Sequence, residues 1–173
     1  MADFDFSDSV LVSRTPDEVY ALVSDVTLMG GWSPVCKACW WEDADARSME
    51  ESADATSRES ADAATVGAWF IGRNETAERT WETRSQVVAA DPGREFAWEV
   101  NGGWVRWGFV LEPAGEAGQS TLLTQVWNFL PRGIAGFHDR FGERAEAEIA
   151  IRIDEATSGI PQTLAAIKAS AEA

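Results

Sequence analysis

The sequence predicts an α+β fold in which a curved antiparallel β-sheet wraps around one long C-terminal α-helix, with short helices between the first two strands. Three observations carry this reading. Phe141, Ala145, Ile149, Ile153, Ala156, Ile160, Leu164 and Ile167 follow one another at steps of 4, 4, 4, 3, 4, 4 and 3, which is one face of a 3.6-residue helix. From about Trp69 to Phe129 the chain alternates apolar and polar residues, the period of half-buried strands. The turn signals between those segments are short, which favours an antiparallel meander over a parallel sheet with helical crossovers.

Taken in order, Phe4, Phe6, Val10 and Val12 occupy even positions of a first strand, expected to bulge around Ser7 to Ser9. Thr15-Pro16-Asp17-Glu18 predicts a helix start, with Thr15 as N-cap, Pro16 in the first turn and Glu18 closing a capping box. Val19, Leu22, Val23 and Val26 supply its buried face. Gly30-Gly31 ends the helical region, Trp32-Ser33-Pro34 turns the chain, and Cys39 to Glu42 is expected as a short strand. Asp43 to Ala64 contains no aromatic residue, Gly or Pro, and Met49 is its only large apolar side chain, so it is expected as an acidic insertion contributing little to a core.

Strands are then expected over Ala68 to Ile71, Trp81 to Val88, Phe96 to Val100, Val105 to Leu111 and Thr121 to Phe129. Asp91-Pro92-Gly93, Asn101-Gly102-Gly103 and Pro113 to Gly118 supply the turns. Phe96, Trp98 and Val100 share one strand face, and Trp107, Phe109 and Leu111 share another; both sets are predicted to point inward. Gly133 and Gly136 are read as a flexible connection into the closing helix. Gly159 and Pro161 interrupt that helix, yet its apolar phase continues through them, so one kinked helix is expected.

At 173 residues the chain suits one domain. With 29 acidic and 14 basic residues its formal charge of −15 disfavours nucleic acid and anionic membrane surfaces as partners. The N-terminus shows no basic and apolar signal pattern, and no apolar run approaches the roughly 20 residues that cross a bilayer, so a cytoplasmic location without membrane insertion is expected. Two cysteines agree with a reducing compartment.

Several motifs sharpen the picture: Pro16-x-x-Val19-x-x-Leu22-x-x-Asp25, Trp32-Ser33-Pro34 with Cys36, Gly67-x-x-Phe70-x-Gly72-x-Asn74, Trp81, Asp91-Pro92-Gly93-x-x-Phe96, and Thr163-Leu164-x-x-Ile167-Lys168. In order and spacing they resemble the START-like superfamily, also labelled SRPBCC, and within it the polyketide cyclase/dehydrase-like branch. The resemblance covers nearly the whole chain and implies the helix-grip fold, with a cavity between sheet and helix for a hydrophobic small molecule such as a lipid, sterol or polyketide-like compound. The segment Asp43 to Ala64 departs from it by its length. Fold alone does not decide between carrier and catalyst.

Trp32, Phe70, Trp81, Phe96, Trp98, Trp107, Phe109, Trp127, Phe137, Phe141 and Leu164 are the expected lining of that cavity, against the alternative that they simply fill the core. Of Trp40 and Trp41, at most one points inward. His138 is the only histidine, and it joins Glu75 and Arg106, with Asp25 and Tyr20, as a candidate acid or base without an evident pair. Asn74 and Arg79 could meet a ligand carbonyl, or serve a turn and offset acidic surface. Cys36-Lys37-Ala38-Cys39 reads as C-x-x-C, but two thiols and one histidine cannot complete a four-ligand Cys/His zinc site, which leaves a redox pair or two ordinary thiols. No metal and no cofactor is expected. Three functions stay open: binding of a hydrophobic small molecule, a cyclase/aromatase-type enzyme acting on a carbonyl substrate in the same cavity, and a protein-interaction module without a ligand.

Overall fold

The computed structural model describes residues 4–42 and 64–173; most of the acidic insertion expected over Asp43 to Ala64 lies outside the described residues. Seven strands form one antiparallel sheet: β1 (Asp5–Val12), β2 (Cys36–Trp41), β3 (Trp69–Glu75), β4 (Thr80–Asp91), β5 (Glu95–Val100), β6 (Val105–Ala114) and β7 (Ser120–Phe129). Their spatial order is β1-β7-β6-β5-β4-β3-β2, so β2 to β7 run as a meander and β1 returns to pair with β7. Helix α1 (Pro16–Val23) and a 3-10 turn (Val26–Gly31) connect β1 to β2. Helices α2 (Pro131–Phe141) and α3 (Ala145–Glu172) follow β7. This is the α+β helix-grip arrangement that the helical and strand periods predict.

The helix start at Thr15 forms as its residues dictate. Thr15 accepts from the Glu18 backbone N–H, and the Glu18 carboxylate accepts from the Thr15 N–H at 2.9 Å, closing the capping box. Donation from the Thr15 N–H and hydroxyl to that carboxylate holds the Glu18 carboxyl below its ordinary range. Val19 and Val23 are fully buried, while Leu22 is half-buried and Val26 belongs to the 3-10 turn rather than to α1.

Four sequence expectations need correction. β1 pairs with β7 in unbroken register from Asp5 opposite Asn128 to Val12 opposite Thr121, so there is no bulge around Ser7 to Ser9; Asp8 simply occupies an even position at the sheet edge. β2 begins at Cys36, three residues before the expected start, because the turn at Pro34 is complete by then. Most of the later strands extend beyond their expected ends, since the pairing continues where the alternation fades. Gly133 and Gly136 are not a flexible connection. Both lie inside α2, and a Cβ on either would overlap Trp104.

α3 runs through Gly159 and Pro161 without interruption. Ala145, Ile149, Ala156, Ile160, Leu164 and Ile167 are buried along it, as the apolar phase requires. Thr157, Ser158 and Gln162 send side-chain hydrogen bonds back to carbonyls one turn earlier in the stretch around Pro161.

Register explains where the interior is solid. Leu111 on β6 lies opposite Leu123 on β7, and this end of the interior, with Val12, Val19, Val23 and Ile167, is closed to solvent. The neighbouring level joins Phe96, Phe109 and Gln125 across β5, β6 and β7. The next joins Trp98, Trp107 and Trp127, toward the strand ends at Val100 and Val105. Here the interior opens.

Candidate functional site: a cavity between the sheet and the C-terminal helices

A cavity of about 450 Å³ occupies that open end. The volume falls within the range of small-molecule sites, about 300–1,000 Å³. Trp98, Trp107 and Trp127 form its sheet wall, with Phe70 edge-on to Trp98 at 5.9 Å between ring centroids. Trp81 from β4 and Phe137 and Phe141 from α2 complete the predicted rings that reach it. The other predicted lining residues are core: Phe96 and Phe109 are fully buried one level deeper, Leu164 packs beyond the cavity on α3, and Trp32 is 8 % exposed away from it. Of the tryptophan pair, Trp41 turns toward Phe70 and Trp40 is exposed, as alternation demands.

None of the five acid or base candidates lines the cavity. His138 is exposed on α2 with Nε2 3.3 Å from Glu146 Oε1, and Glu75 ends β3 at the surface. Arg106 donates to Glu95 at 3.0 Å. Asp25 caps the 3-10 turn through Thr27, and Tyr20 meets the edge of Phe96, its phenol pKa raised chiefly by burial. Asn74 does reach the lining, where its amide donates to the Gly72 carbonyl at 3.3 Å.

Three charged side chains of the cavity come from α3. Glu148, Arg152 and Glu155 sit at i, i+4 and i+7 on one helical stripe, and Arg79 reaches them from the β3–β4 turn. Arg79 Nη2 donates to Glu155 Oε1 at 2.8 Å, and Nη1 lies 3.6 Å from Glu148 Oε2. Arg152 Nη2 is 3.6 Å from Glu148. Both guanidiniums stack on Trp81, at 4.1 Å for Arg79 and 5.6 Å for Arg152, which joins the charged cluster to the aromatic wall. Burial lowers the Arg152 pKa with help from Arg79, while burial raises that of Glu155.

Three polar atoms here are buried without a hydrogen-bond partner among the described residues: Arg79 Nε, Arg152 Nη1 and Gln125 Oε1. Gln125 is 4 % exposed at the floor of the cavity. Leaving such a group unsatisfied costs about 1–3 kcal/mol, so water or a ligand is its natural partner. Among the described residues no group of three or more His, Cys, Asp or Glu side chains could hold a metal ion.

The same architecture recurs in known proteins. A family model described as polyketide cyclase/dehydrase and lipid transport matches residues 3–172. The chain belongs to this family. A polyketide-cyclase-like protein of Corynebacterium glutamicum, known from a solution structure, is 43% identical over 97% of this chain and 91% of its own, with a TM-score of 0.61. Two di-domain ARO/CYC proteins share the fold at lower identity. BexL, from the BE-7585A biosynthetic pathway, is 14% identical over 97% of this chain and 46% of its own, at a TM-score of 0.60. StfQ, from the steffimycin pathway, is 15% identical over 98% of this chain and 50% of its own, at 0.62. No curated protein matches the chain in sequence. Among the described residues no helix is long and apolar enough to cross a membrane.

Trp104 and the α3 charges escaped the sequence reading for physical reasons. Asn101-Gly102-Gly103 marks a turn, and Trp104 immediately after it reads as part of that turn; it becomes wall only because Gly133 and Gly136 let α2 descend onto it. A Glu/Arg stripe on a helix ordinarily faces water. Its i, i+4, i+7 spacing beside the apolar face was the available signal.

Proposed function

We propose that this member of the family binds an amphipathic small molecule, with its apolar body against the tryptophan and phenylalanine rings, an acidic or carbonyl head toward Arg79 and Arg152, and a hydroxyl donating to Gln125 Oε1. The observation that carries this reading is a ligand-sized cavity whose aromatic walls converge on partly unpaired, buried hydrogen-bonding groups. Burial of the apolar body contributes about 25 cal/mol per Å², before the costs of association. Arg79, Arg152 and the exposed Arg140 at the rim stand against Glu148 and Glu155, while Glu82 pairs with the exposed Arg73 at 2.8 Å. The lining thus holds as many arginines as glutamates, three of each, so in a chain of net charge −15 it is a place where a carboxylate or enolate is not repelled.

A paired-ligand titration tests the head group. Pyrenebutanoic acid should bind more tightly than its amide, and Arg152→Gln should shrink that preference by about tenfold, or ~1.4 kcal/mol. An unchanged acid-to-amide ratio with binding intact removes the head-group assignment. Failure of both compounds to bind removes the whole reading.

Cyclase-type catalysis is the second reading, and Glu155 is what favours it. Its carboxyl lines the cavity and burial raises its pKa, which makes it a better proton acceptor, although Arg152 and Arg79 oppose the shift. A poly-β-ketone mimic consumed by the native protein, but bound unchanged by Glu155→Gln, supports it. Equal conversion by both proteins excludes that role.

A further inference from the structure

Cys36 and Cys39 are three residues apart in β2, a spacing that in a regular strand sends side chains to opposite faces. Here the register shifts: Cys36 lies opposite Asn74 and Ala38 opposite Arg73, so Lys37 is an extra residue in the ladder. This bulge changes the phase by one residue and brings both sulfurs to the cavity. Lys37 turns outward, with Nζ donating to the Pro34 carbonyl at 2.7 Å. The two Sγ atoms are 3.3 Å apart. Across the strand pair, Gly72 faces Cys39; a Cβ there would stand 3.5 Å from the Cys39 sulfur and 3.9 Å from that of Cys36. Both distances are ordinary van der Waals contacts, so Gly72 packs directly over the sulfur pair.

The two thiols are unequal. Cys36 is half-buried, and its hydrogen bond with Cys39 holds its pKa below the ordinary thiol value against the opposing effect of burial. The same bond, with burial, pushes Cys39 up. Cys36, the more exposed of the two, is the sulfur a reagent in the cavity reaches first, and the buried Cys39 is placed to resolve.

We propose that Cys36 and Cys39 form a reversible dithiol–disulfide site in the cavity wall, oxidised by a hydroperoxide that enters through the cavity. The Cys36 thiolate attacks a peroxide oxygen: an S–O bond forms, the O–O bond breaks, and the alkoxide or hydroxide leaves and takes up a proton. Cys39 then attacks the sulfenic sulfur, forming S–S and breaking S–O, and its proton departs with hydroxide as water. In sum, two thiols and one hydroperoxide give a disulfide, an alcohol (or water) and water, with two electrons passing from sulfur to the peroxide. An external dithiol reverses the step by exchange. To bond, the sulfurs close from 3.3 Å to about 2.05 Å. The assignment does not depend on the ligand proposed above.

Lys37 makes the test direct, because trypsin cleaves between the two cysteines and only a disulfide then keeps their peptides together. The reduced full chain, treated with hydrogen peroxide and alkylated, should lose the mass of two hydrogens and yield the linked peptide pair, both reversed by dithiothreitol. In Cys39→Ser the link should vanish and a sulfenic acid should be trapped on Cys36 by dimedone, whereas Cys36→Ser should react more slowly. The wild-type result alone decides the matter if a variant does not fold. Persistence of both thiols, a link appearing only after unfolding in urea, or links only between two copies of the chain would overturn the proposal.

Discussion

Phe96→Ala should lower stability by about 3–5 kcal/mol, while Trp81→Ala should cost far less stability and at least about tenfold in affinity for an apolar ligand. Phe96 is fully buried, sits edge-on to Tyr20 at 6.4 Å and packs against Trp98 at 5.8 Å. Its removal leaves a void that the paired strands around it cannot collapse to fill. Trp81 is half-buried at the cavity, where the Arg79 and Arg152 guanidiniums stack on its ring. Its removal enlarges a hollow that already exists and strips the charged cluster of its platform. Urea midpoints for both variants, set beside titrations with a fluorescent apolar probe, check the contrast. Equal stability losses would mean that the division between solid core and hollow end is wrongly drawn.

Gly133→Ala should destabilise the protein by about 2–3 kcal/mol, although in an exposed helix the same change stabilises by about 1 kcal/mol. A Cβ at this position would lie 2.7 Å from the Trp104 carbonyl carbon and 2.8 Å from its Cα, and would overlap the carbonyl oxygen. These are backbone atoms, fixed in part by the hydrogen bond from Leu130 N–H to the Trp104 carbonyl at 3.0 Å. They cannot rotate aside as a side chain can. Gly136→Ala meets the Trp104 ring instead, at 2.5 Å, so the indole must shift within the cavity wall. Thermal unfolding of the two variants measures the effect; stabilisation of either would show that α2 does not bear on Trp104 as described.

The fold was legible in the sequence wherever local chemistry and tertiary packing agree. The capping box at Thr15, the turns at Pro92-Gly93 and Gly102-Gly103, and the apolar phase of the closing helix each specify structure within a few residues; all are present, except that the phase expected from Phe141 starts at Ala145, because Phe141 ends α2 and a 3-10 turn over Gly142–Arg144 precedes α3. Gly133 and Gly136 show the opposite case. Glycine marks flexibility when only its neighbours are considered, but here it marks the close approach of two elements whose contact no local pattern records. The aromatic wall was partly legible for a similar reason: alternation names the inward residues, but it does not separate Trp98, at the cavity, from Phe96 one level deeper on the same face. The charged end was less so. Arg79 joins Glu148 and Glu155 from a distant part of the chain, and in the sequence it looks like an ordinary counter-charge on an acidic surface.

The central claim is that the space between the strands and α3 takes up a guest, and native mass spectrometry tests it most directly. The purified chain, mixed with fatty acids, sterols and aromatic polyketide-like compounds in turn, should appear as a one-to-one complex with at least one of these classes, and that ligand should displace a fluorescent apolar probe. A spectrum containing only the free chain across all of them, with no probe to displace, would contradict the account.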